Sequence, residues 1–205
     1  MSAARRAAAS ANAAAFFVVN SIGQSRDRNM SLLLLWIRAF NALVGRLCMA
    51  LAIAIVAIMV VALTASAVTR YVTGIGYDWL IELPPMLVPW LVFPLLGPLL
   101  KSNSHISVDV AEAYLSAVNK RRLRILLYLV VLLSAAAFMV AGYEAVELFR
   151  NLGQVVELEV EFPIWYLYAA FPVGFAILSL FALELLLAEL LNMPDETAEK
   201  LETMA

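Results

Sequence analysis

The run from Leu83 to Leu100 carries no charged residue, yet it holds Pro84, Pro85, Pro89, Pro94 and Pro98. That combination constrains the chain more than any other stretch. Glu82 and Lys101 bound an apolar length just sufficient to cross a bilayer. A proline inside a helix removes one backbone donor and clashes with the preceding turn, so the freed carbonyls need partners from neighbouring helices or water. The segment is therefore expected to lean on other protein. Pro84 and Pro85 are placed at the first turn of this helix, where a missing N–H costs least.

Composition points the same way, since 64% of the residues are hydrophobic and mean hydropathy is +0.89, whereas globular domains are roughly 45–50% apolar. The excess calls for lipid. A net charge of −2 offers no general basic surface for nucleic acid. The one cysteine, Cys48, cannot form an internal disulfide and is read as a packing residue.

Four spans are expected, at about 47–69, 83–100, 125–143 and 162–183, giving an all-α integral membrane protein. The first lies between Arg46 and Arg70, 23 residues without a charge, and at 1.5 Å per residue is roughly 35 Å long. Residues 1–29 are rich in Ala and Ser and read as a disordered extension, with Met30 a possible alternative start. Trp36, Arg38 and Asn41 stud the apolar stretch 31–45, and this pattern suits an interfacial helix. A turn-forming link, 71–81, contains Gly74, Gly76 and Trp79.

Val108, Ala111, Leu115 and Val118 recur at helical spacing, so a second interfacial helix is expected at about 107–119. Before the fourth span, Glu157, Glu159 and Glu161 alternate with Val156, Leu158 and Val160 and predict a short extended segment. The tail, 192–205, is polar and acidic. Twelve Lys and Arg residues fall on one side of this topology and two, Arg70 and Arg150, on the other. The asymmetry places both termini in the cytoplasm.

Chemistry-bearing patterns are sparse. A single histidine, His105, excludes a bis-histidine haem or an all-histidine metal site, and neither a phosphate loop nor a nucleophile elbow is present. Ser104, His105 and Asp109 read as a polar helix start, with a capping serine and an acid at the positive helix end. No catalytic, cofactor-binding or metal-binding residue is expected. The first three cores contain no Asp, Glu, Lys, Arg or His, and Glu184 is placed near the cytoplasmic end of the fourth, within reach of water. Such clean cores suit a scaffold better than a complete carrier, although the prolines leave a self-sufficient small transporter as a second reading. An autonomous four-helix membrane enzyme subunit is a third.

Arg70-Tyr71, then Trp79 and Glu82, Trp90-Leu91-Val92-Phe93, and His105-Ile106-x-Val108-Asp109 together resemble the core pattern of one family. It is the small membrane subunit of TRAP (tripartite ATP-independent periplasmic) transporters. Pro163-x-Trp165-x-x-Tyr168-x-x-x-Pro172-x-Gly174 is similar to that family's entry into its last span. The resemblance covers about 30–191; the family's paired acids are reduced here to Glu82, and Ser102-Asn103-Ser104 replaces its usual glycine.

The resemblance implies an inner-membrane secondary transporter in which this subunit enlarges a static scaffold. A large membrane subunit would carry the substrate and sodium sites in a symport cycle, and a periplasmic solute-binding protein would deliver a small organic acid or related carboxylate. Subunit-interface or structural candidates are Arg70, Trp79, Glu82, Trp90, His105, Asp109, Pro163 and Trp165. An Arg70–Glu82 ion pair closing the first hairpin is one expectation. Trp79 and Trp165 are read as interfacial anchors, and Trp90 as a contact to the large subunit.

Overall fold

The computed structural model describes residues 3–102, 117–156 and 161–191. Two compact units divide the chain, Met1–Phe40 and Asn41–Ala205. The first is the leading part of helix α1, which runs Ala3–Thr73. Residues 3–29 are thus helical where an unstructured extension was expected, and their alanines supply the helix propensity. The stretch expected as an interfacial helix, 31–45, shares the same helix.

In the second unit α1 ends where Gly74 takes a left-handed φ of +71° and its N–H donates to the Arg70 carbonyl at 3.1 Å. Glycine reaches that conformation without strain. Helix α2 (Asp78–Val92) starts after the Tyr77 cap, five residues earlier than the apolar run suggests. Pro84, Pro85 and Pro89 are consequently interior, which corrects the expected place of Pro84 and Pro85 in the first turn. The acids Asp78 and Glu82 are accommodated because the helix begins outside the apolar core.

By the i to i−4 rule those prolines free the carbonyls of Leu80, Ile81 and Pro85. Pro94 then opens a 3₁₀ turn at Phe93–Leu95, and the helix resumes as α3 (Leu96–Lys101). The second span is thus a broken helix whose break has an identifiable cause. Helix α4 (Ala117–Leu152) follows. Two-residue strands β1 (Val155–Val156) and β2 (Phe162–Pro163) pair antiparallel, with Val155 opposite Pro163. Of the alternating Val-Glu stretch, 157–160 lies outside the described residues. A single helical turn, α5 (Trp165–Tyr168), leads into α6 (Ala170–Leu190).

Among the described residues, four helical segments are long and apolar enough to cross a membrane: Leu34–Thr73, Asp78–Lys101, Asn119–Leu152 and Trp165–Leu190. The fourth reaches beyond Glu184, so that residue stands inside the helix rather than at its edge. Hydroxyls within the spans turn back on their own helices, as Ser134 Oγ does to Val130 O at 2.7 Å and Ser179 Oγ to Phe175 O at 2.8 Å. Each thereby finds a partner without water.

Small residues let the broken span lie against α6. A Cβ on Gly174 would fall within 2.7 Å of the Phe93 carbonyl oxygen, and one on Gly97 within 2.7 Å of the Phe181 ring. Close approach through glycines replaces the hydrophobic drive that lipid cannot supply. The Phe93 and Phe171 rings meet at a tilt of 35° with centroids 3.9 Å apart, while Leu100, Tyr128, Ala182, Leu185 and Leu186 form a buried cluster. Because Gly174 faces backbone and Gly97 faces chiefly a ring that can rotate, alanine at Gly174 is expected to cost more, about 1–3 kcal/mol. Thermal unfolding of Gly174→Ala and Gly97→Ala in detergent checks that order.

Candidate functional site: a buried ionic junction and an aromatic groove

Antiparallel spans bring residues distant in sequence to the same level, and three polar groups meet there. Lys101 closes α3, Glu184 lies within α6, and Asn41 stands on α1. Lys101 Nζ contacts Glu184 Oε1 at 2.6 Å. Asn41 Nδ2 donates to Glu184 Oε2 at 2.7 Å and to the Leu180 carbonyl at 3.1 Å. Glu184 is only 2% exposed and Asn41 fully buried.

The expectation that Glu184 reaches water is therefore wrong: α6 continues past it, and lysine and amide replace the solvent. Both carboxylate oxygens are engaged, so the group is held in place. Such a pair offsets the desolvation of its two charges only when further hydrogen bonds satisfy the remaining valences, and Asn41 provides one. Glu184 also fixes the rotamer of Asn41, because a flipped amide would set Oδ1 against Oε2. The consequence is that Asn41 Oδ1 has no hydrogen-bond partner among the described residues.

At the other end of the second span, Trp79, Leu83, Met86, Leu87 and Trp90 from α2 face Phe162, Tyr166 and Leu167 across an apolar groove of about 460 Å³. Trp90 is half-buried, and its Nε1 donates to the Tyr166 carbonyl at 3.0 Å. That bond ties α2 to the entry of the fourth span. Trp165 stacks on Tyr166 with centroids 3.7 Å apart, and the Arg150 guanidinium lies 5.8 Å from the Trp165 ring. Pro163, in β2, stands opposite Val155 where no ladder N–H is needed, and the Ile164 N–H beyond it donates to the Gln154 carbonyl at 3.1 Å.

Of the residues singled out from sequence, Trp79 and Trp90 share this groove, and Pro163 and Trp165 flank its far wall. Arg70 and Glu82 are not brought together. Neither takes part in an ion pair among the described residues; the Arg70 guanidinium lies against Gly76, where a Cβ would meet Nε and Nη2 at 3.1 Å. Absence of a side chain at Gly76 lets the arginine fold over the turn. His105 and Asp109, with most of the interfacial helix expected at 107–119, lie outside the described residues.

Sequence reading missed the ionic junction because Lys101 was taken as a boundary and Glu184 as a rim residue. Its signal was positional: Asn41, Lys101 and Glu184 all stand at one end of their spans under a four-span topology. Losing one member leaves an uncompensated buried charge, so Lys101→Met or Glu184→Leu alone is expected to destabilise by about 3–5 kcal/mol. The double variant Lys101→Met/Glu184→Leu should recover most of that loss, as thermal unfolding of all three in detergent will show.

Comparison with known proteins bears on both features. A family model, Tripartite ATP-independent periplasmic transporters, DctQ component, matches residues 59–192. No curated protein matches the chain, and no solved structure does. The matched stretch contains the groove residues and both Lys101 and Glu184. With well over half of its length inside the match, the chain belongs to the DctQ component family of tripartite ATP-independent periplasmic transporters.

Proposed function

We propose that this chain is the small scaffold subunit of a secondary-active transporter that imports small organic acids or related solutes. It assembles with a large membrane transport subunit and a periplasmic solute-binding protein in the bacterial inner membrane, both termini cytoplasmic. The observation that carries this reading is the family match over residues 59–192. Support comes from the interior: among the described residues the one buried carboxylate, Glu184, is already occupied by Lys101 and Asn41. A proton or cation path would need ionisable groups free to change partners.

Much apolar surface faces outward along the first span, where Leu47, Ile53, Val61 and Val68 are each more than half exposed. That surface suits lipid and a larger apolar partner. The self-sufficient carrier finds less support, because Gly97 and Gly174 let the proline break pack directly on α6.

Co-purification with the large membrane subunit encoded beside this chain, followed by solute uptake in vesicles with and without the chain, tests the proposal. A stable complex whose uptake requires this chain and the binding protein is expected; uptake by this chain alone would overturn it. Trp90→Ala should weaken the complex several-fold in pull-down yield, and Trp90→Phe, which keeps a ring in the groove, should weaken it less. Unchanged yield for Trp90→Ala would remove that residue from the interface.

A further inference from the structure

Leu63, Ser66, Ala67 and Arg70 stand at i, i+3, i+4 and i+7 near the end of α1, so they share one side of the helix. With Tyr71, and with Ile81 from α2, they line a recess of about 450 Å³ at the first hairpin. Ser66 is the residue that makes this recess a site. It is only 5% exposed, and its hydroxyl has no hydrogen-bond partner among the described residues. Thr69, Ser134 and Ser179 instead turn their hydroxyls onto carbonyls of their own helices. An unanswered hydroxyl in apolar surroundings is costly, and the one direction open to Ser66 is the recess it lines.

One turn above, in the last turn of the helix, Arg70 makes no hydrogen bond or ion pair among the described residues. Gly76 beside it has no side chain to answer the charge. One turn below, Leu63 is half exposed. The recess therefore presents a cation, a buried donor and an apolar wall in that order, the first two about 6 Å apart along the helix axis. A glycerophospholipid carries the complement in the same order: a phosphate, then an ester carbonyl, then an acyl chain, with only the glycerol between the first two. A free anion would leave the Ser66 hydroxyl unanswered, and a plain hydrocarbon would leave both polar groups so. We propose that the recess binds a glycerophospholipid, its phosphate on Arg70, one ester carbonyl accepting from Ser66 Oγ and the acyl chain along Leu63. The proposal rests on the membrane spans and not on the transport reading.

The test places the full-length chain in nanodiscs holding equal parts of dioleoyl phosphatidylglycerol and its diether analogue, which keeps the phosphate but lacks the ester carbonyls. Native mass spectrometry then counts the lipids that stay bound on release. The ester lipid should be retained over the ether by roughly fivefold, the effect of one hydrogen bond. In a second nanodisc it should be retained over dioleoylglycerol, which has no phosphate, by roughly tenfold. Ser66→Ala should bring the ester-to-ether ratio close to one and leave the preference over dioleoylglycerol. Arg70→Gln should remove that second preference, while Arg70→Lys and the remote Arg150→Gln keep it. Equal retention of ester and ether lipid by the wild-type chain, or an unchanged ratio in Ser66→Ala, would overturn the site.

Two rival occupants give distinct results, each contrary to the proposal. Displacement of the lipid by millimolar inorganic phosphate would show a general anion site. Loss of the ester preference when the chain is purified together with a membrane partner would assign the recess to side chains of that partner.

Discussion

The contact of Lys101 with Glu184 is the constraint on which the second unit depends. A carboxylate within an apolar helix costs several kcal/mol unless its charge is answered on the spot, and the answering ammonium must come from another span. Once Lys101 is committed to that position, the end of α3 is fixed against α6. Asn41 extends the same junction to α1, so three spans are registered at one point. The broken second span is the one that most needs such an anchor, because its prolines weaken the helix that would otherwise hold it straight.

At the opposite end the joining chemistry differs. There the Trp90 indole donates to the Tyr166 carbonyl, and at the 3₁₀ turn that follows, Gly174 admits the Phe93 backbone while the Phe93 and Phe171 rings meet at a tilt. The second span is therefore held by charge near its last turn, by close packing at the 3₁₀ break of Phe93–Leu95 and by the Trp90 bond just before that break. Under the proposed scaffold role, firm fastening of the weakest helix is the useful property. The groove beside Trp90 is the part of this surface that a partner side chain or an acyl chain could fill.

Much of the fold was legible because the relevant signals are one-dimensional. A 23-residue uncharged run between Arg46 and Arg70 says where a span lies whatever packs against it. Helix ends were less legible. Asp78 falls in the expected link 71–81 and Glu82 bounds the apolar run, yet a membrane helix readily begins with charged turns in the interface, and α2 starts at Asp78. The same reasoning failed at Glu184, where a charge was read as the end of the span although the helix runs on to Leu190.

By itself the sequence determined the spans, the small polar content of their cores and, through the order of its motifs, the family; hydropathy and spacing are properties of the chain alone. Partner choice was decided only by tertiary structure. Arg70 and Glu82 are near in sequence and opposite in charge, yet Arg70 folds over Gly76, whose missing side chain leaves room for it, and Glu82 has no ion pair among the described residues. Lys101 and Glu184 are 83 positions apart and meet at 2.6 Å. A buried charge takes the partner that packing brings within reach of low-dielectric contact, and separation along the chain carries no information about which that is.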